Sequence, residues 1–146
     1  MNAMVRQRFL QQYAQTGLHS GVENATPHRL VQMLYEGVLD RIAQAKGAMM
    51  RKDFEAKSRI TNRIVDILSH LQNSLDTEKG GEVANNLYQL YDYMLRQVFS
   101  ASRHNDVQKL DEVAVLIKDI KSAWDEMPDE FRRMNKSELE RISPKS

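Results

Sequence analysis

Apolar side chains recur along this chain at alternating spacings of three and four residues, and no stretch of any length alternates with the period of two that a strand requires. Val31, Tyr35, Val38, Ile42, Ala45 and Met49, with Leu34 beside them, make the first such stripe. Thr26 precedes it as a cap residue. Pro27 follows in the first turn, where its missing amide would have had no helical partner. Arg51 and Lys52 stand where the negative end of the helix dipole favours cations. Asp53 caps a second helix after a minimal turn, with Ile60, Ile64, Ile67, Leu71 and Leu75 as its stripe. So short a link forces the two helices antiparallel. Gly80-Gly81 give a flexible start to a third helix that fades near Arg103, and His104-Asn105-Asp106 make the next turn with Asp106 as cap. Leu110, Val113, Ile117, Ile120 and Trp124 form the fourth stripe until Pro128 stops it. The pattern predicts an all-α protein: an antiparallel, up-down-up-down four-helix bundle preceded by a short N-terminal amphipathic helix.

The third helix is apolar over more of its circumference than a surface helix needs. At about 100° per residue, Val83, Leu87, Leu90, Met94 and Val98 cluster, and Tyr91, Leu95, Tyr88 and Phe99 widen the arc to roughly half the circle. Such a helix either sits centrally among its neighbours or keeps a second face for a partner helix. Tyr93 stands about 200° from Tyr91 and cannot share its burial, so one of these tyrosines faces a groove or the surface.

The ends differ from this core and divide the chain into 1–25, a lid and linker; 26–127, the bundle; and 128–146, a charged tail. Val5, Phe9 and Tyr13 fall four apart with Leu10 alongside. A helix of about a dozen residues is marginal alone in water and has to dock or fray. The stretch TGLHSGVENA reads as linker. In the tail, Phe131, Met134, Leu139 and Ile142 are the only sizeable apolar groups, so order there requires a docking surface.

Composition narrows function by exclusion. A chain of 146 residues and 16.9 kDa makes one domain. Its 21 Lys and Arg against 20 Asp and Glu leave a net charge of +1, too little to hold a nucleic acid. No cysteine is present, which removes disulfides and thiolate chemistry and fits a reducing compartment. The N-terminus MNAMVRQRFL lacks a signal-like apolar core, and no run approaches the roughly 18 apolar residues that span a bilayer, so a cytoplasmic protein without membrane insertion is expected. His19, His28, His70 and His104 are scattered and read as surface or capping residues; no Glu-x-x-His pair of a di-metal bundle occurs. Gly80-Gly81 is followed by no phosphate-loop pattern. Met33, Met49 and Met94 read as core filling, and Asp92 and Arg96 as a solvated ion pair. No enzyme and no cofactor are expected; a helix-binding module is.

Two blocks sharpen this reading. Leu75–Met94, LDTEKGGEVANNLYQLYDYM, resembles the hallmark run of the flagellin-specific type III export chaperones, the FliS family, and Ala25–Gly37, ATPHRLVQMLYEG, is similar to that family's opening helix, with Thr26 in place of serine and Glu36 in place of aspartate. The resemblance covers about residues 10 to 127. It implies a cytoplasmic chaperone that binds the disordered C-terminal segment of flagellin, prevents premature polymerisation and delivers the client to the cytoplasmic domain of the export gate. Asn85, Asn86, Tyr88, Tyr91, Tyr93 and Leu95 are then the candidate client-binding residues. Val5, Phe9, Leu10 and Tyr13 are the candidate lid, with Leu10 and Tyr13 resembling the positions that engage the gate. The residues alone equally allow a general protein-protein adaptor or regulator that binds some other amphipathic helix.

Overall fold

Local capping sets the boundaries of the fold. The computed structural model describes residues 24–133. Thr26 has extended backbone, and its hydroxyl accepts from the Arg29 amide at 3.1 Å, which opens α1, Pro27–Met50. The helix closes when the Arg51 amide reaches back to the Gly47 carbonyl at 3.1 Å. Lys52 then turns the chain with a left-handed φ of 58°. The Asp53 carboxylate accepts from the Ala56 amide at 3.1 Å and starts α2, Phe54–Asn73. Before α3, Gly81–His104, the Asp76 carboxylate accepts from the amides of Glu78 and Lys79. Gly80 packs so closely there that a Cβ would lie 2.5 Å from that of Ala84, and Gly81 has φ +58°, a conformation that strains any other residue. Asn105, left-handed at φ 54°, ends α3, and the Asp106 carboxylate accepts from Gln108 and Lys109 to begin α4, Val107–Asp125. A four-residue helix, α5 (Asp129–Arg132), lies against α1.

Each long helix packs on two neighbours: α1 on α2 and α4, α3 on α2 and α4. The result is the four-helix bundle that the apolar periodicity predicts, and no strand occurs among the described residues. Its axis is filled by Leu34, Val38, Ile42 and Met49 of α1, Ile64, Ile67, Leu68 and Leu71 of α2, Tyr91, Met94 and Val98 of α3, and Leu110, Val113 and Ile117 of α4. The stripes run slightly differently at their ends. Ile60 and Leu75 are only half-buried, and on α3 the buried position of the first turn is taken by Ala84, not Val83.

Polar contacts also join elements that are far apart in sequence. Across the bundle diagonal, the buried hydroxyls of Tyr35 and Tyr91 hydrogen-bond to each other at 2.8 Å. At one end, His28 is buried and corrects the expectation of a surface residue: its ring stacks on Trp124 with centroids 4.9 Å apart and planes 7° from parallel. Its Nε2 donates to the Trp124 carbonyl at 2.6 Å, and Trp124 Nε1 donates to the His28 carbonyl at 2.9 Å. This reciprocal clasp ties the first turn of α1 to the last turn of α4.

Candidate functional site

The surface character of α3 follows from which of its residues the neighbours claim. On one side α2 reaches it: Gln72 Nε2 donates to the Tyr88 carbonyl at 3.2 Å, Lys57 Nζ to the Ser102 carbonyl at 2.7 Å, and Thr61 Oγ1 to Ser102 Oγ at 3.3 Å. Lys57 is buried along its stem and sets its ammonium 4.9 Å from the centre of the Phe54 ring. On the other side α4 reaches it, with the Tyr93 hydroxyl and the Gln97 amide both donating to the Glu112 carboxylate and Lys109 Nζ donating to Ser100 Oγ.

Between these contacts the apolar arc spills out on both shoulders. Tyr88, Leu95 and Phe99 share about 40° of the α3 circumference beside α2. There Tyr88 is 39 % and Phe99 57 % exposed, with Leu95 half-buried between them. On the α4 shoulder stand Val83, 72 % exposed, and Tyr93, 37 % exposed, with Leu90 half-buried. The hydrogen bond to Glu112 is the main cause that raises the Tyr93 pKa above the ordinary tyrosine value, because an anionic acceptor opposes loss of the proton. Asp92 and Arg96, 3.5 Å apart, lie at the surface.

The candidate client-binding residues therefore divide. Tyr88 and Leu95 fall on one shoulder, Tyr93 on the other, and Asn85 and Asn86 are exposed on either side of the helix. Tyr91 is 2 % exposed and belongs to the core, so it offers a partner no surface without repacking. Phe99, which the tyrosine-rich run does not include, completes the α2-side row, eleven residues after Tyr88 and four after Leu95. Val5, Phe9, Leu10 and Tyr13 lie outside the described residues.

The arrangement leaves apolar side chains exposed at helical spacing on both shoulders of α3. Among the described residues no group of three or more His, Asp or Glu is placed to hold a metal. No helix among them is long and apolar enough to cross a membrane. His70, on α2, has its pKa lowered by burial, and Asp125 has its own lowered by the hydrogen bond from Lys121; neither adjoins the α3 rows.

Comparison with known proteins gives a consistent result. The family model described as flagellar protein FliS matches residues 9–130. The chain is 41 % identical over 122 residues to the flagellar secretion chaperone FliSB of Pseudomonas aeruginosa, covering 84 % of this chain and 97 % of that one. It is 39 % identical over 130 residues to the flagellar secretion chaperone FliS of Vibrio cholerae, covering 89 % and 96 %. With the protein of the same description from Salmonella typhimurium it shares 39 % over 113 residues, 77 % and 84 % of the two chains.

Proposed function

This chain belongs to the flagellar protein FliS family, and on that premise we propose that it acts in the cytoplasm as a flagellar secretion chaperone whose client is the disordered C-terminal segment of flagellin. The exposed apolar row of α3, Tyr88, Leu95 and Phe99, carries the reading. A client segment that folds into a helix with apolar side chains three and four apart would lie along that row, removing from water surfaces that otherwise drive filament assembly. Tyrosine suits such a site, since it buries a large rigid area and keeps a hydroxyl for one directed bond. Ordering a disordered client consumes much of the gross burial energy, so binding stays reversible and the client can be handed on. No nucleotide or other cofactor enters this cycle.

Delivery in this proposal is to the cytoplasmic domain of the flagellar export gate, with Leu10 and Tyr13 making the contact. Before loading, the 1–25 segment serves as a lid, placing Val5, Phe9, Leu10 and Tyr13 over part of the apolar row; client binding then frees Leu10 and Tyr13 for the gate. Calorimetric titration of the protein with full-length flagellin, beside flagellin lacking its C-terminal segment, tests the client assignment. Heat only with the full-length protein supports it. Equal binding of both would overturn it.

A further inference from the structure

Away from α3, three arginines line one groove between α1 and α2. A solvent-open groove of about 220 Å³ is lined by Arg41 and Gln44 of α1 and by Arg59, Ile60 and Arg63 of α2. Arg59 and Arg63, four residues apart, stand one above the other on α2, and Arg41 faces them from the other wall. Because the chain as a whole carries only +1, three guanidinium groups on one groove are a local concentration and not a general basicity. Asp66 meets Arg63 at 3.9 Å with both side chains half exposed, a solvated contact that competes weakly with a better-placed carboxylate. Ile60, half-buried, supplies an apolar floor.

We propose that this groove is a second protein-binding surface, one that takes an acidic helical segment. Two carboxylates one helical turn apart on that segment pair with Arg59 and Arg63, Arg41 closes over them, and a neighbouring apolar side chain rests on Ile60. The planar guanidinium fork matches a carboxylate through two parallel hydrogen bonds, and the Gln44 amide adds a neutral donor. The groove is smaller than the roughly 300–1,000 Å³ of small-molecule pockets and is open, so it encloses no metabolite. Nor does a near-neutral chain provide the long basic track that a nucleic acid needs. Arg59 and Arg63 stand about 160° around α2 from Thr61, which faces α3. The groove and the α3 row are thus on opposite flanks of α2, and both can be occupied together. This inference does not rest on the flagellin assignment.

The probe is a fluorescent peptide of repeated Glu-Ala-Ala-Leu units, with its Gln-Ala-Ala-Leu counterpart as control, followed by anisotropy in about 0.05 M salt. The full chain should bind the acidic peptide and not the neutral one, and R59Q/R63Q should weaken binding about tenfold. R59K/R63K, which keeps the charge and loses the forks, should weaken it several-fold, with helical circular dichroism unchanged in both variants. Tyr88→Ala/Phe99→Ala should bind the acidic peptide as the wild type does. Absence of binding, equal binding of the neutral peptide, an unaffected R59Q/R63Q variant, loss of binding in Tyr88→Ala/Phe99→Ala, or displacement by tripolyphosphate at equal concentration would each overturn the assignment.

Discussion

Replacing Tyr91 by Phe deletes a single oxygen from the core and leaves the Tyr35 hydroxyl buried without the partner it has at 2.8 Å. Both rings are 2 % exposed, so water cannot substitute without opening the bundle. Stranding a buried hydroxyl costs about 1–3 kcal/mol, whereas removing both partners of a buried pair is close to neutral. Each single variant, Tyr35→Phe or Tyr91→Phe, should therefore lose about 2 kcal/mol, and the double variant less than either. The coupling in the double-mutant cycle is then about 3 kcal/mol, well above measurement error. Urea unfolding followed by circular dichroism measures it, with a constant m value showing that the compared states are the same. Alkaline pH gives an independent check. Burial is the leading cause that raises the pKa of both tyrosines above 10.0, so the folded state retains protons that the unfolded chain releases. Stability is then full below pH 10.0 and falls above it by up to about 1.4 kcal/mol per pH unit for each tyrosine, a fall that the double variant should lack. A double variant destabilised by the sum of the singles would refute the pairing.

The His28–Trp124 clasp at the end of the bundle should also register. His28→Ala removes the stacked ring and one donor to the Trp124 carbonyl, and should cost about 1–2 kcal/mol in a melt while red-shifting the emission of Trp124, the only tryptophan in the chain; unchanged emission and melting would dismiss the clasp. Deleting residues 1–15 should strengthen or speed flagellin binding, because a competing lid lowers apparent affinity by the fraction of molecules left open; weakened binding would instead make the segment part of the client surface. A Leu10→Ala/Tyr13→Ala variant should still bind flagellin yet fail to bring it to the gate domain in a pull-down, and normal recruitment would end that assignment.

What the sequence makes legible here is what depends on near neighbours. Thr26, Asp53 and Asp106 cap helices through amides two or three residues ahead, so a reading of a few residues finds all three starts. Periodicity likewise identifies the bundle. It fixes an apolar arc, however, without fixing the centre of that arc. On α3 the centre is set by packing between α2 and α4, which buries Ala84 and Tyr91 and leaves Val83 and Phe99 out. That rotation moves Tyr91 out of the candidate surface and leaves Phe99 exposed in line with Tyr88 and Leu95. The buried histidine was less accessible still: its partner Trp124 lies 96 residues away, and no local pattern announces a contact at that range. Lys57 is another case: lysine is by type mostly exposed, yet the α2–α3 interface buries its stem while its ammonium donates to the Ser102 carbonyl.

The central claim is that the exposed α3 row receives the client, and it is tested most directly by titrating the flagellin C-terminal peptide into the wild type and into a Tyr88→Ala/Phe99→Ala variant. Both side chains are exposed enough to be removed without opening the core, and an intact circular dichroism spectrum verifies that. Each truncation should cost more than about 1 kcal/mol, so the account predicts at least a tenfold rise in Kd. An unchanged Kd in a folded variant would place the client elsewhere and contradict it.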